Sequence, residues 1–197
     1  MANVSDVKSK FFEPQGVSAA LVSASAAATT LAIADGGPYG NLTETITLYS
    51  SGNNSGNTFT LTGTDGNGDA QTEDLTGPNA GTVNSANKYL TITSIVSDGA
   101  IVTDIQAGIL GTGALTGTVF AGRTRIRGLT GTSKASAGNV VFKNTSITGT
   151  TLLTIPLTGA VGNIDPYIPD NGVLFSAGAY INLTAADITG VTVYYDG

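Results

Sequence analysis

Residues 43–62 read Thr43-Glu44-Thr45-Ile46-Thr47-Leu48-Tyr49, then Ser50-Ser51-Gly52-Asn53-Asn54, and a few residues later Thr58-Phe59-Thr60-Leu61-Thr62. Threonine alternates with an apolar residue on both sides of a Ser/Gly/Asn cluster. Period-two alternation places Ile46 and Leu48, and again Phe59 and Leu61, on one face of an extended segment, which is the pattern of half-buried strands. β-Branched Thr and Ile suit a pleated backbone, and the Gly/Asn cluster supplies a turn. The pattern spreads outward. Residues 89–96 continue it, with Tyr89 off phase from Leu90 and Ile92. Further strands are expected at 101–109, 115–120, 123–129, 139–143, 151–157, 173–175 and 191–195, with turns at Asp65-Gly66-Asn67-Gly68 and Asp170-Asn171-Gly172. An Ala-rich stretch at 19–28 has the composition of a helix but only a weak periodic pattern. Short strands at this spacing, without crossover helices, predict an all-β fold: an antiparallel β-sandwich or jelly-roll-like architecture in two β domains.

Composition narrows the chemistry. The 197 residues include 27 Gly and no Cys, His or Trp. Without His or Cys there is no Ser-His-Asp triad, thiol nucleophile, thiolate zinc site or disulfide framework, so carboxylates, hydroxyls, Lys, Arg and Tyr are left for any chemistry. Glu73 and Asp74 are adjacent and so face opposite sides of a strand, while Glu13 and Glu44 stand alone. No spacing nominates the carboxylate pair that a glycosidase needs, and a non-enzymatic protein is expected, with no cofactor.

Charge is sparse and uneven. Charged residues make up 11% of the chain, and the net charge is -6, which disfavours a nucleic-acid partner that must be met by phosphate neutralisation. Residues 1–122 carry three basic and ten acidic side chains, and residues 123–197 five and four. The change of sign near Gly122, after a Gly-rich stretch, marks a boundary. The expected organisation is an N-terminal arm over 1–16, an acidic Gly/Thr-rich β domain over 17–122 and a C-terminal β-sandwich domain over 123–197. Glu13 and Pro14 interrupt the run from Lys8 and Lys10 into the Ala-rich segment, unlike a secretory leader. No stretch has the length of uninterrupted apolar residues that a membrane-spanning helix needs.

Three clusters are candidate sites. Lys8, Lys10, Phe11 and Phe12 combine cations with adjacent aromatics that need burial in this chain or in a partner. Arg123, Arg125 and Arg127 alternate with Thr124 and Ile126, so a strand would hold all three guanidiniums on one face. Such a row either guards a sheet edge or meets an acidic surface through bidentate pairs. Asp65, Asn67 and Asp69 match the first, third and fifth positions of a calcium loop, but Ala70 and Thr76 stand where that loop has Gly and Glu, which favours a plain hairpin turn. The Leu-Thr-Gly tripeptides at Leu61, Leu75, Leu115, Leu129 and Leu157 have no fixed period and read as strand ends, not as a solenoid.

The segment Phe59-Thr-Leu-Thr-Gly-Thr-Asp-Gly-Asn-Gly-Asp-Ala-Gln-Thr-Glu73, with Gly77-Pro78-Asn79-Ala80-Gly81 and Lys88-Tyr89 after it, resembles a pattern of virion structural proteins of tailed bacteriophages. The stretch Asn171-Gly-Val-Leu-Phe-Ser-Ala-Gly-Ala-Tyr-Ile181 and the ending Val191-Thr-Val-Tyr-Tyr-Asp-Gly197 are similar to the closing strands of small phage and cyanophage capsid-associated proteins. The resemblance implies a multi-copy, non-enzymatic capsid decoration or cement protein, made in the host cytoplasm and carried on the capsid surface. Its implied partners are the major capsid protein or other virion proteins, and copies of itself, with a trimer favoured. A glycan-binding tail or head fibre module is the alternative. Lys8, Lys10, Phe11, Phe12, Arg123, Arg125 and Arg127 are the expected contact residues.

Overall fold

The computed structural model describes residues 6–16, 18–25, 29–111, 113–169 and 171–197. Along the chain the strands are β1 (Lys8–Phe12), β2 (Ser18–Ser25), β3 (Glu44–Asn53), β4 (Thr58–Thr64), β5 (Ala70–Thr76), β6 (Asn79–Tyr89), β7 (Thr91–Ser97) and β8 (Ile105–Ile109). They continue as β9 (Ala114–Phe120), β10 (Thr124–Ser133), β11 (Ala137–Asn144), β12 (Thr151–Thr158), β13 (Gly162–Ile164), β14 (Val173–Phe175), β15 (Ala179–Thr184) and β16 (Ile188–Asp196). Among the described residues there is no helix, and every strand pairing is antiparallel. The all-β fold read from the sequence is the fold observed. Residues 19–25 of the Ala-rich stretch belong to β2; residues 26–28 lie outside the described residues.

The chain divides into two compact units. One contains Gln15–Tyr39 and Thr43–Gly111. Its sheets run β2-β8-β3-β6 and β5-β4-β7. Ile46 and Leu48 from the first sheet and Phe59, Leu61 and Ile95 from the second are all fully buried in one core. The alternation of Thr with apolar residues along β3 and β4 therefore fixes which face of each sheet is covered. Tyr89 closes β6 and Thr91 opens β7, so the off-phase step at Tyr89 is where the chain leaves one sheet for the other.

The other unit contains Met1–Pro14, Gly40–Leu42 and Thr112–Gly197. It pairs a sheet of order β1-β16-β10-β13, in which β14 also joins β10, with a sheet of order β12-β11-β15-β9. Ile126, Val191 and Val193 from the first sheet meet Phe142, Ile181 and Leu183 from the second in a single core. Both units are sandwiches by the same physics: each sheet has one apolar face, and burial against a second sheet removes it from water.

Two organisational expectations are corrected. The boundary lies at Gly111/Thr112 and not near Gly122, because the Gly-rich stretch contains β9, which pairs with β15 and buries Leu115 and Val119 in the C-terminal core. The N-terminal segment is extended, but residues 8–12 are no free arm: β1 pairs with β16 from Lys8↔Tyr195 to Phe12↔Val191, and Phe12 is fully buried. Asn41 donates from Nδ2 to the Phe11 carbonyl at 2.8 Å, and the Glu13 amide donates to the Gly40 carbonyl at 2.9 Å, which ties residues 40–42 to the same unit. Counted by these units, the net charges stay at -7 and +1, from one base and eight acids in the first and seven bases and six acids in the second.

Candidate functional site: the five-stranded sheet

β1 and β10 are neighbours of the same strand, β16, so two segments at opposite ends of the sequence share one sheet. Alternation along β1 then separates its four singled-out side chains. Phe12 enters the core and Phe11 lies outside, 48% exposed. Lys10 donates from Nζ to the Thr118 carbonyl at 2.7 Å and sits 5.5 Å from the Phe12 ring centroid. Burial lowers its pKa from the usual lysine value. Lys8 donates to the Gly197 carbonyl at 2.8 Å, with its ammonium 5.7 Å from the Phe120 ring centroid. Lys8 and Lys10 thus both make contacts within the unit.

The arginine row departs from its expected form in two ways. β10 is an interior strand, with β16 on one side and β13 and β14 on the other, so edge protection is not its role. A bulge also interrupts it, since Ile126 pairs with Tyr195 and Gly128 with Tyr194, leaving Arg127 as the extra residue. Arg123 precedes the strand. Arg127 Nη1 lies 3.6 Å from Asp196 Oδ2, the Arg125 amide donates to Asp196 Oδ1 at 3.2 Å, and Arg125 Nη1 donates to the Asn171 carbonyl at 3.3 Å. Asp196 thus supplies from within the chain a negative charge for the Arg127 guanidinium, while Arg125 meets it through its backbone amide.

An open cleft of about 470 Å³ forms where β1 begins and β16 ends, lined by Asp6, Lys8, Arg123, Arg125, Leu174 and Asp196 among others. Lys8 and two arginines thus come together, as neither sequence segment alone reveals. Arg123 is exposed and makes no hydrogen bond or ion pair with another described residue. The chemistry on offer is planar, two-pronged hydrogen bonding to a carboxylate or a similar oxyanion.

The remaining sequence candidates have local tasks. Asp65 Oδ1 accepts from the Asn67 amide at 2.8 Å and the Asp69 amide at 3.0 Å, and Gly68 takes φ +89°, closing the β4–β5 hairpin. Among the described residues, no group of three or more acidic, His or Cys side chains could hold a metal ion. Glu73 accepts from the Ala86 and Asn87 amides at 2.7 and 3.0 Å, and Asp74 accepts from the Thr60 hydroxyl at 2.7 Å. Tyr195 packs against the core, with its ring centroid 5.9 Å from that of Phe120, while Tyr194 is 36% exposed. Glu44, isolated in sequence, is fully buried at the start of β3, and desolvation raises its pKa to about 7 against the nearby Gln15 and Gly111 amides and the Lys88 ammonium, which favour its charged form.

No protein-family model, curated protein or solved structure matches the chain. The functional reading therefore rests on the geometry and chemistry of this sheet.

Proposed function

We propose that the chain is a non-enzymatic structural protein of a tailed-bacteriophage particle, a decoration or cement subunit that docks on the head shell through the cationic cleft beside β1, β10 and β16. The observation that carries this reading is the convergence of Lys8, Arg123 and Arg125 on one open cleft. A guanidinium held there without an internal partner suits a carboxylate presented by an acidic protein surface, such as that of a major capsid protein. The low charge and the predominance of Thr and Gly suit a protein whose surface is covered by copies of itself or by a shell. Repetition across a symmetric particle lets weak contacts act together, and a homotrimer on a local symmetry axis gains from this most.

Counting copies in purified particles tests the role: hundreds of copies support decoration, while a few to tens overturn it in favour of a tail or fibre part. Occupancy on stripped particles tests the site. Replacing Arg123 and Arg125 together by Ala should reduce occupancy at least about tenfold at low salt, with a smaller difference at high salt. Equal occupancy of wild type and variant at every salt concentration would remove the cleft from the contact.

A further inference from the structure

On the outer face of this sheet, away from the cationic cleft, Phe11, Thr130, Thr132, Asn163, Asp165 and Thr192 line an open groove of about 440 Å³. Phe11, Thr192 and Thr130 form one row across β1, β16 and β10. The Phe11 ring lies against Gly190: a Cβ built there would fall 2.7 Å from Cζ and 2.9 Å from Cε2. One side of the ring thus rests on backbone, and Asn41 holds the Phe11 carbonyl, while 48% of the residue is open to solvent. The result is a fixed aromatic platform.

The polar lining is available. Thr130 shares a long 3.5 Å contact with the Tyr194 hydroxyl, whereas Thr132, Asn163, Asp165 and Thr192 make no side-chain hydrogen bond with another described residue. Alcohols, an amide and a carboxylate beside an open ring match a ligand with one C–H face and a rim of hydroxyls. An extended peptide fits less well, because the groove lies on the sheet face, where the β10 backbone is already paired on both sides and offers no edge to a further strand. The Asp165 carboxylate disfavours an anionic ligand and accepts hydroxyl hydrogens.

We propose that this groove binds a neutral pyranose sugar, with Phe11 as the stacking platform and Asn163, Asp165 and the threonines as hydroxyl partners. This inference goes beyond the docking role and uses a different set of residues. An aromatic ring over a sheet glycine also serves simply to cover backbone, and leucine would serve that purpose too. The two roles therefore diverge in Phe11→Leu.

The test uses the purified full chain, isotopically labelled, titrated with neutral hexasaccharides (β-1,4-glucose, α-1,4-glucose, α-1,6-mannose and β-1,4-N-acetylglucosamine) and with sialyllactose as the acidic control. At least one neutral sugar should give saturable amide shifts centred on Phe11, Thr130 and Asn163, and sialyllactose should bind at least about tenfold more weakly. Phe11→Leu and Asn163→Ala should each weaken binding at least about tenfold while thermal unfolding stays near that of wild type. If Phe11→Leu unfolds the sheet, Asn163→Ala, at an exposed position of β13, decides. The proposal is overturned if no neutral sugar binds, if the shifts fall elsewhere, or if Asn163→Ala binds as well as wild type. No phage particle enters this assay, so failure here leaves the docking experiment unaffected, and the reverse holds.

Discussion

Burial turns Glu44 into a source of pH dependence. Its pKa stands near 7, above the ordinary 4.5, because desolvation of the fully buried carboxylate penalises the anion more than the Gln15 and Gly111 amides and the Lys88 ammonium favour it. The sign follows directly. Between those two values the folded chain holds a proton that the unfolded chain has lost, so stability falls as pH rises through this window. Below the ordinary value both states are protonated and the group is silent; above about 7 the whole penalty of about 3 kcal/mol is present. Glu44→Gln should flatten the fall in denaturation midpoint between pH 5 and pH 8. An unchanged slope in the variant would assign the dependence to other groups.

At the scale of the element, β1 is a structural strand that also presents a surface. Phe12 sits in the core, and a Cβ on Gly117 would fall 2.7 Å from its ring, so β9 depends on a glycine to admit that side chain. Phe12→Ala should cost about 3–5 kcal/mol, and deletion of residues 1–12 at least as much, with β16 left as a bare edge. Thermal unfolding checks this, and a truncated chain as stable as wild type would restore the picture of a dispensable arm. The strands legible in the sequence were those with one covered face, such as β3, β4 and β9. β5 and β6 were not legible, because polar residues occupy most of both faces. β15 was hidden for the opposite reason: Ala179, Tyr180 and Ile181 are buried in succession and erase the alternation. In the sequence the expected contact residues lie in two separate segments; their union in one sheet depends on β16 pairing with both, which periodicity cannot report. Asn163 and Asp165 carried no signal, since β13 is only three residues long and Asp165 follows it.

Over the whole molecule, the net negative charge falls on one unit. One base against eight acids gives the unit built on β2–β8 a strong self-repulsion, whereas seven bases against six acids leave the other near neutrality. Like charges confined to one compact unit destabilise it, and added salt weakens that repulsion within a Debye length of about 10 Å at 0.1 M and about 3 Å at 1 M. The two cores are also distinct sets of side chains, so local opening can be followed in each. Amide hydrogen exchange at pH 8 should therefore slow with rising salt more in β3 and β4 than in β11 and β15. Glu44→Gln separates the two electrostatic effects in the acidic unit. It removes a buried charge whose penalty comes from desolvation, which salt barely screens, so the variant should lose pH sensitivity while keeping most of its response to salt. Equal slowing in all four strands would show that the uneven charge is not felt as unit-level repulsion; a salt response abolished by Glu44→Gln would place the repulsion at that one carboxylate.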